Sequence, residues 1–192
     1  MRIITGKAKG VKLLTLEGEN TRPTPERVKE AVFSSIQFDV EGRTVLDLFA
    51  GSGQMGLEAL SRGADRAVLV DAAKAATNVI AKNVEKTRLG EMATVLCADY
   101  SEYLRAAAGR ERFDLVFLDP PYASGLITAA LEKLLAGRLL KPTSLIVCES
   151  DKEDVFFSKP SLADRFEVVK KNRYGIVHVT VLSPKNEGGS AL

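Results

Sequence analysis

From Thr44 to Cys148, short apolar runs alternate with stretches in which apolar residues recur every three or four positions. Runs that stay apolar on successive residues are expected of strands covered by helices on both faces, and the helical stretches between them supply parallel crossovers. The pattern predicts strands at 44–49, 67–70, 94–97, 114–118 and 145–148. It predicts helices at 55–62, closed by Gly63, at 74–88, stopping before Gly90, and at 126–135.

The end of the chain breaks the alternation. Two β-type runs, 166–169 and 176–182, are joined only by Asn172-Arg173-Tyr174-Gly175, too short for a parallel crossover, so they are expected to pair antiparallel. A parallel sheet closed by an antiparallel hairpin predicts a doubly wound α/β fold: a mostly parallel, seven-stranded, Rossmann-like sheet of the class I methyltransferase type. Ahead of it, 2–5 and 11–14 flank Gly6 to Gly10 and suit a short N-terminal β-hairpin. Thr24 is placed to cap a helix with Pro25 at its first position, and Val28, Ala31, Val32, Ser35 and Ile36 follow at helical spacing. Residues 1–40 therefore read as a lid-like hairpin-and-helix extension, 41–184 as the main domain, and 185–192 as a flexible tail.

At 192 residues, with 45% hydrophobic and 27% charged, the chain suits one soluble α/β domain. It has no apolar run of the ~18 residues a membrane span needs, and residues 1–7 lack a signal-peptide pattern. A cytoplasmic monomer with no membrane partner is expected. The two cysteines, Cys97 and Cys148, lie in strand-like runs and are expected to be buried. In the anticipated sheet order they stand about 19 Å apart, too far to bridge. The lone His178 alternates with apolar residues on one face of a strand, and no His/Cys cluster has metal-ligand spacing. Net charge is only +2, but Arg2, Lys7, Lys9 and Lys12 all precede the first acid, Glu17, which predicts a local cationic patch.

Candidate chemistry gathers at strand ends. Asp47, Phe49, Ala50, Gly51, Ser52, Gly53 and Gly56 form a strand, a glycine turn and a helix start, suited to close approach by a ligand. With Asp71 at the end of the second strand, the G-x-G-x-x-G spacing alone is equally a dinucleotide site. Two features shift the reading. Asp47 can face the cationic amino-acid portion of S-adenosylmethionine but would repel a pyrophosphate, and Asp99, beside Tyr100, can accept from an adenine amino group. In Asp119-Pro120-Pro121-Tyr122, a fourth strand delivers an acid, two stiffening prolines and an aromatic to the same edge. An amine conjugated with an aromatic base is a poor nucleophile. The Asp119 carboxylate and Pro120 carbonyl can hold its N–H groups while Tyr122 stacks on the base.

These residues carry a resemblance. From Arg2-Ile3-Ile4-Thr5-Gly6 through Thr21-Arg22-Pro23-Thr24, the glycine turn, Gly56 to Gly63 and Asp119-Pro120-Pro121-Tyr122 to Tyr174-Gly175, the chain resembles the small single-domain bacterial 16S rRNA guanine-N2 methyltransferases. Gln54-Met55 departs from the small or aliphatic residues common there. The resemblance implies S-adenosylmethionine as donor, no metal, rRNA methylation as the activity, and rRNA within the small ribosomal subunit as partner. It also places Arg22 and Thr24 near donor or substrate. Arg2, Lys7, Lys9 and Lys12, with Arg173 and Tyr174, are then the candidate RNA contacts. Three other readings are a nicotinamide oxidoreductase, a methyltransferase acting on adenine N6 in RNA or DNA, and a non-catalytic RNA-binding assembly factor.

Overall fold

The computed structural model describes residues 1–16, 26–121 and 125–185. The strands are β1 (Thr44–Asp47), β2 (Arg66–Asp71), β3 (Ala93–Cys97), β4 (Phe113–Leu118), β5 (Leu140–Ser150), β6 (Phe166–Tyr174) and β7 (Val177–Pro184). They form one seven-stranded sheet in the order β3-β2-β1-β4-β5-β7-β6. β1 to β5 pair in parallel; β7 is antiparallel to both β5 and β6. The helices are α1 (Glu26–Ser35), α2 (Gln54–Ser61), α3 (Lys74–Thr87), α4 (Tyr100–Ala107) and α5 (Leu126–Ala136).

Successive strand residues enter opposite cores, which accounts for the unbroken apolar runs. Val45, Leu69, Leu115 and Phe117 pack with Phe33, Leu57 and Ile80 from α1, α2 and α3, whereas Leu46, Val68 and Val116 pack with Leu104 and Leu131 from α4 and α5. After β1 the chain winds outward through β2 and β3, then returns to β4 on the other side. The reversal opens a crevice at the C-terminal ends of β1 and β4, where this fold class binds ligands.

Several expectations are corrected. β3 is an edge strand, so Cys97 is exposed, while Cys148 is buried; both are free. The 100–107 segment, for which the sequence pattern predicts no element beyond Tyr100 at the end of the third strand, is α4. It buries Tyr103, Leu104 and Ala107 on one side, a stripe of barely two turns. β6 continues through Asn172, Arg173 and Tyr174, and pairing of Tyr174 with Val177 leaves a two-residue turn at Gly175-Ile176. The expected cap of α1 at Thr24-Pro25 lies outside the described residues, as does the tail beyond Lys185.

The N-terminal hairpin forms with a single bridge, Arg2 to Lys12, and hydrogen bonds from Ile3 N to Val11 O (3.0 Å) and from Gly10 N to Ile3 O (2.8 Å). It docks on the C-terminal end of α2. Lys7 N donates to Ser61 O (2.8 Å), and a Cβ on Gly6 would stand 1.7 Å from that oxygen, so only glycine fits. Beneath it lies a buried ion pair: Lys29 Nζ is 3.4 Å from Glu58 Oε2, both side chains fully inaccessible. Lys29 also donates to Arg2 O (2.6 Å), while Glu58 accepts from Ile4 N (2.8 Å), Thr5 N (3.1 Å) and Arg62 Nε (2.8 Å). Burial, the largest influence, pushes the Lys29 ammonium below its usual range against the opposing pull of Glu58. Asn83 on α3 ties the far end of the hairpin to the glycine turn. Its amide donates to Leu14 O (3.0 Å) and Ser52 O (2.9 Å), and its oxygen accepts from Leu14 N (2.7 Å).

Candidate active site

At the β1/β4 reversal the crevice widens into a cavity of about 640 Å³. Acids from four strand ends reach its wall: Asp47 as the last residue of β1, Asp71 as the last of β2, Asp99 just after β3 and Asp119 just after β4. Each owes its place to the parallel sheet, which aligns the C-terminal ends of neighbouring strands.

Asp47 is the most enclosed of the four, at 3% exposure. Its Oδ2 accepts from Gly56 N (2.9 Å), one of the N–H groups left open at the start of α2. Burial raises its pKa to about 7; the Gly56 hydrogen bond opposes this, and the charges of Asp119 and Asp71 add to it. Asp71 braces the glycine turn, accepting from Gly51 N (2.9 Å) and Ala73 N (2.8 Å). Asp99 caps α4 through Ser101 N (2.8 Å) and still borders the cavity. Phe49 and Tyr100, ring centroids 5.3 Å apart, form an aromatic wall, and burial, then Asp99, raises the Tyr100 phenol's pKa.

The glycines divide their work. Gly51, with Ala50 and Ser52, lines the cavity. Gly56 does not: a Cβ there would meet Leu69 Cδ2 at 2.9 Å, so its smallness lets α2 pack against β2. Gly53 caps α2 in the left-handed region (φ 78°) and is likewise a packing residue rather than part of the wall.

Pro120 and Pro121 line the same cavity beside Asp119, so the sequence's two motifs meet. Tyr122, Arg22 and Thr24 lie outside the described residues. The basic patch is dispersed. Arg2 is paired with Glu26 (2.7 Å), an acid that α1 brings back to it. Exposed Lys7 and Lys9 sit at the hairpin tip by Ser61, about 12 Å along α2 from its cavity end, and Lys12 is exposed at the bridge. Arg173 and Tyr174 end β6 at the same sheet edge as Asp119; the strand order puts them about 14 Å away.

Residues 1–183 match the family described as Conserved hypothetical protein 95. The chain belongs to this family. Among similar proteins, Ribosomal RNA small subunit methyltransferase D of Haemophilus influenzae is 35% identical over 179 residues, covering 92% of this chain and 90% of that protein. The protein of the same name in Escherichia coli K12 is 35% identical over 154 residues, covering 80% and 76%. The solved structure of the Escherichia coli protein yhhF aligns with a TM-score of 0.82 at 30% identity, covering 96% of this chain and 98% of that one. The family match starts at residue 1 and so takes in the docked hairpin with the sheet, whose arrangement is the class I methyltransferase fold.

Sequence reasoning passed over several residues of the site. Thr15 and Leu16 reach the cavity because Asn83 holds Leu14 against the glycine turn. Gln54, 6% exposed, stands in the cavity wall at the start of α2, and its Oε1 is buried with no hydrogen-bond partner. The only sequence signal for Gln54 was its departure from the small residues usual there. Among the described residues no group of three or more His, Cys, Asp or Glu could hold a metal ion, and no helix is long and apolar enough to cross a membrane.

Proposed function

We propose that the chain transfers a methyl group from S-adenosylmethionine to the exocyclic N2 amine of a guanine in small-subunit ribosomal RNA, within an assembled particle. One observation carries this reading: the Asp119-Pro120-Pro121 tip and the Asp47–Gly51–Asp71 wall face one cavity. Relatives spanning most of the chain and named Ribosomal RNA small subunit methyltransferase D support the substrate class.

The residues fit the donor. The cavity falls in the ~300–1,000 Å³ range that holds small ligands. Its acidic wall suits a cation and disfavours a dinucleotide's pyrophosphate. Each Asp71 oxygen, already accepting one backbone N–H, keeps a lone pair for ribose hydroxyls. Gln54 Oε1 is an orphaned acceptor in a wall where an ammonium group would arrive. When bound, S-adenosylmethionine supplies an electrophilic methyl group on a sulfonium sulfur. The chain's part is to place the amine: the Asp119 carboxylate and the Pro120 carbonyl accept its N–H groups, and the prolines fix the loop that carries them. Orientation of this kind contributes on the order of 7–11 kcal/mol to lowering the barrier. Arg173, Tyr174 and the hairpin cations Arg2, Lys7, Lys9 and Lys12 would meet phosphates around the inserted nucleotide, the hairpin tip at the greater distance. Arg22, Thr24 and Tyr122 are kept as substrate-side candidates.

Two consequences are measurable. Asp47 titrates near pH 4 in an unfolded chain and at about 7 in the fold, so its contribution to stability is full below about pH 4 and lost as pH rises through 7. A bound cation draws it into the charged form and releases a proton. Donor affinity, followed by calorimetry, is expected to strengthen about tenfold between pH 6 and pH 8, and Asp47→Asn to flatten that rise. Gln54→Met removes the orphaned oxygen at similar volume. It is expected to raise the ligand-free protein's unfolding free energy by about 1 kcal/mol while weakening donor binding several-fold, read by urea unfolding and equilibrium dialysis.

The reading is tested by offering methyl-labelled donor with undermodified small subunits, short naked rRNA fragments and DNA. Label is expected in subunit RNA. Equal turnover on the short fragments would contradict the particle requirement, and label confined to DNA or protein would contradict the substrate class.

A further inference from the structure

One face of α3 runs from the donor cavity to the N-terminal hairpin. Ala76 lines the cavity, and Ile80, a turn further on, packs beneath the glycine turn, where a Cβ on Gly53 would stand 3.1 Å from its Cγ2. Asn83 follows on the same face and is fully buried. Its amide is committed on both sides. Each Nδ2 hydrogen has a carbonyl, Leu14 O at 3.0 Å and Ser52 O at 2.9 Å, and Oδ1 accepts from Leu14 N at 2.7 Å. A weaker tie runs beside it, from Ser52 Oγ to Met1 Sδ (3.7 Å).

What this amide holds leads directly into the site. Ser52 lines the cavity, and so do Thr15 and Leu16, the two residues after Leu14. Leu14 is 40% exposed, so apolar burial does little to keep this stretch in place. The last backbone bond of the hairpin among the described residues is Leu13 N to Met1 O (3.1 Å), so beyond it the Asn83 amide is the fastening. The stretch enters from the donor's side. α3 packs on β2 and β3, across β1 from β4 and its Asp119-Pro120-Pro121 tip.

We propose that Asn83 is a positioning residue for the methyl donor: by fixing Leu14 to the glycine turn it sets Thr15 and Leu16 as a wall of the donor site, so that affinity for S-adenosylmethionine depends on the docked hairpin. The inference rests on the reading of the cavity as the donor site and adds a part of the chain that lies outside the parallel sheet. Docking and binding then reinforce each other. Donor must hold the strand by the same factor by which the held strand tightens donor.

The test measures donor affinity by equilibrium dialysis and steady-state kinetics on undermodified small subunits. Asn83→Asp keeps the volume but replaces both N–H donors with an oxygen facing two carbonyls. It is expected to raise Kd and KM for S-adenosylmethionine about tenfold, with kcat at saturating donor and KM for subunits within about threefold of wild type. Leu16→Ala shortens a half-buried wall residue without touching α3, and should weaken donor binding about three- to tenfold. The double variant should bind donor within about twofold of Asn83→Asp alone, because the wall is already displaced. In wild type, saturating donor should slow hydrogen exchange at the Leu14 amide.

A folded Asn83→Asp protein with wild-type donor affinity would overturn the proposal, as would additive losses in the double variant. A rise in the subunit KM in place of the donor KM would assign the strand to RNA and overturn it too. Should Asn83→Asp fail to fold, unaltered donor affinity in Leu16→Ala with donor-independent exchange at Leu14 would decide against it. Failure of the donor-site reading shows separately, as donor binding that Asp47→Asn also leaves untouched.

Discussion

Asp119→Asn is expected to lower the rate of methyl transfer to subunit RNA about 10²–10⁴-fold while leaving the protein folded and able to bind S-adenosylmethionine. The side chain keeps its volume at the end of β4 but exchanges one acceptor oxygen for an NH₂ group, which meets the substrate amine donor to donor. The loss should appear in kcat more than in donor affinity, because Asp119 faces the cavity beside Asp47 and Asp71 and is not their only negative charge. A second readout follows from the electrostatics. Asp119 helps to raise the Asp47 pKa, so removing its charge should shift the pH dependence of donor binding to lower pH. Unchanged transfer by Asp119→Asn in a single-turnover assay would remove this residue from the mechanism.

The largest stability effect is expected at Glu58. Glu58→Gln leaves the Lys29 ammonium buried without its contacting counter-charge and weakens the acceptors for Ile4 N, Thr5 N and Arg62 Nε. A loss of about 3–5 kcal/mol in urea unfolding is expected. Removing the cation as well should relieve much of it, so adding Lys29→Met to Glu58→Gln should cost less than Lys29→Met alone. Additive losses would mean that the two groups are energetically independent, contrary to the 3.4 Å contact. Because the pair fastens the hairpin to α2, the single variants should also increase hydrogen exchange at Ile4 and Thr5.

Which parts of this were legible in the sequence follows from how local their physics is. The glycine turn after β1 and the Asp-Pro-Pro tip after β4 are each an apolar strand ended by an acid, and a parallel sheet brings such ends together regardless of detail. Residues whose roles depend on partners far along the chain were not legible. Asn83 is one polar residue in a helix until Leu14 and Ser52 arrive beside it. Lys29 follows Val28 on the buried side of α1, and nothing local announces that Arg2 O and Glu58 will receive it. Charge counting grouped Arg2, Lys7, Lys9 and Lys12 as one patch, but the fold returns Glu26 to Arg2 and carries the hairpin tip away from the cavity. Cys97 was expected to be buried because an apolar run does not reveal that its strand is the sheet edge.

The most direct measurement of the central claim is the identity of the modified nucleoside. Small subunits lacking the modification are incubated with the protein and S-adenosylmethionine, and their RNA is digested to nucleosides and separated by mass. The account predicts a new N2-methylguanosine, absent when Asp119→Asn replaces the wild type. Methylation that appears instead on adenine, or no methylated nucleoside from an enzyme that binds donor, would contradict it.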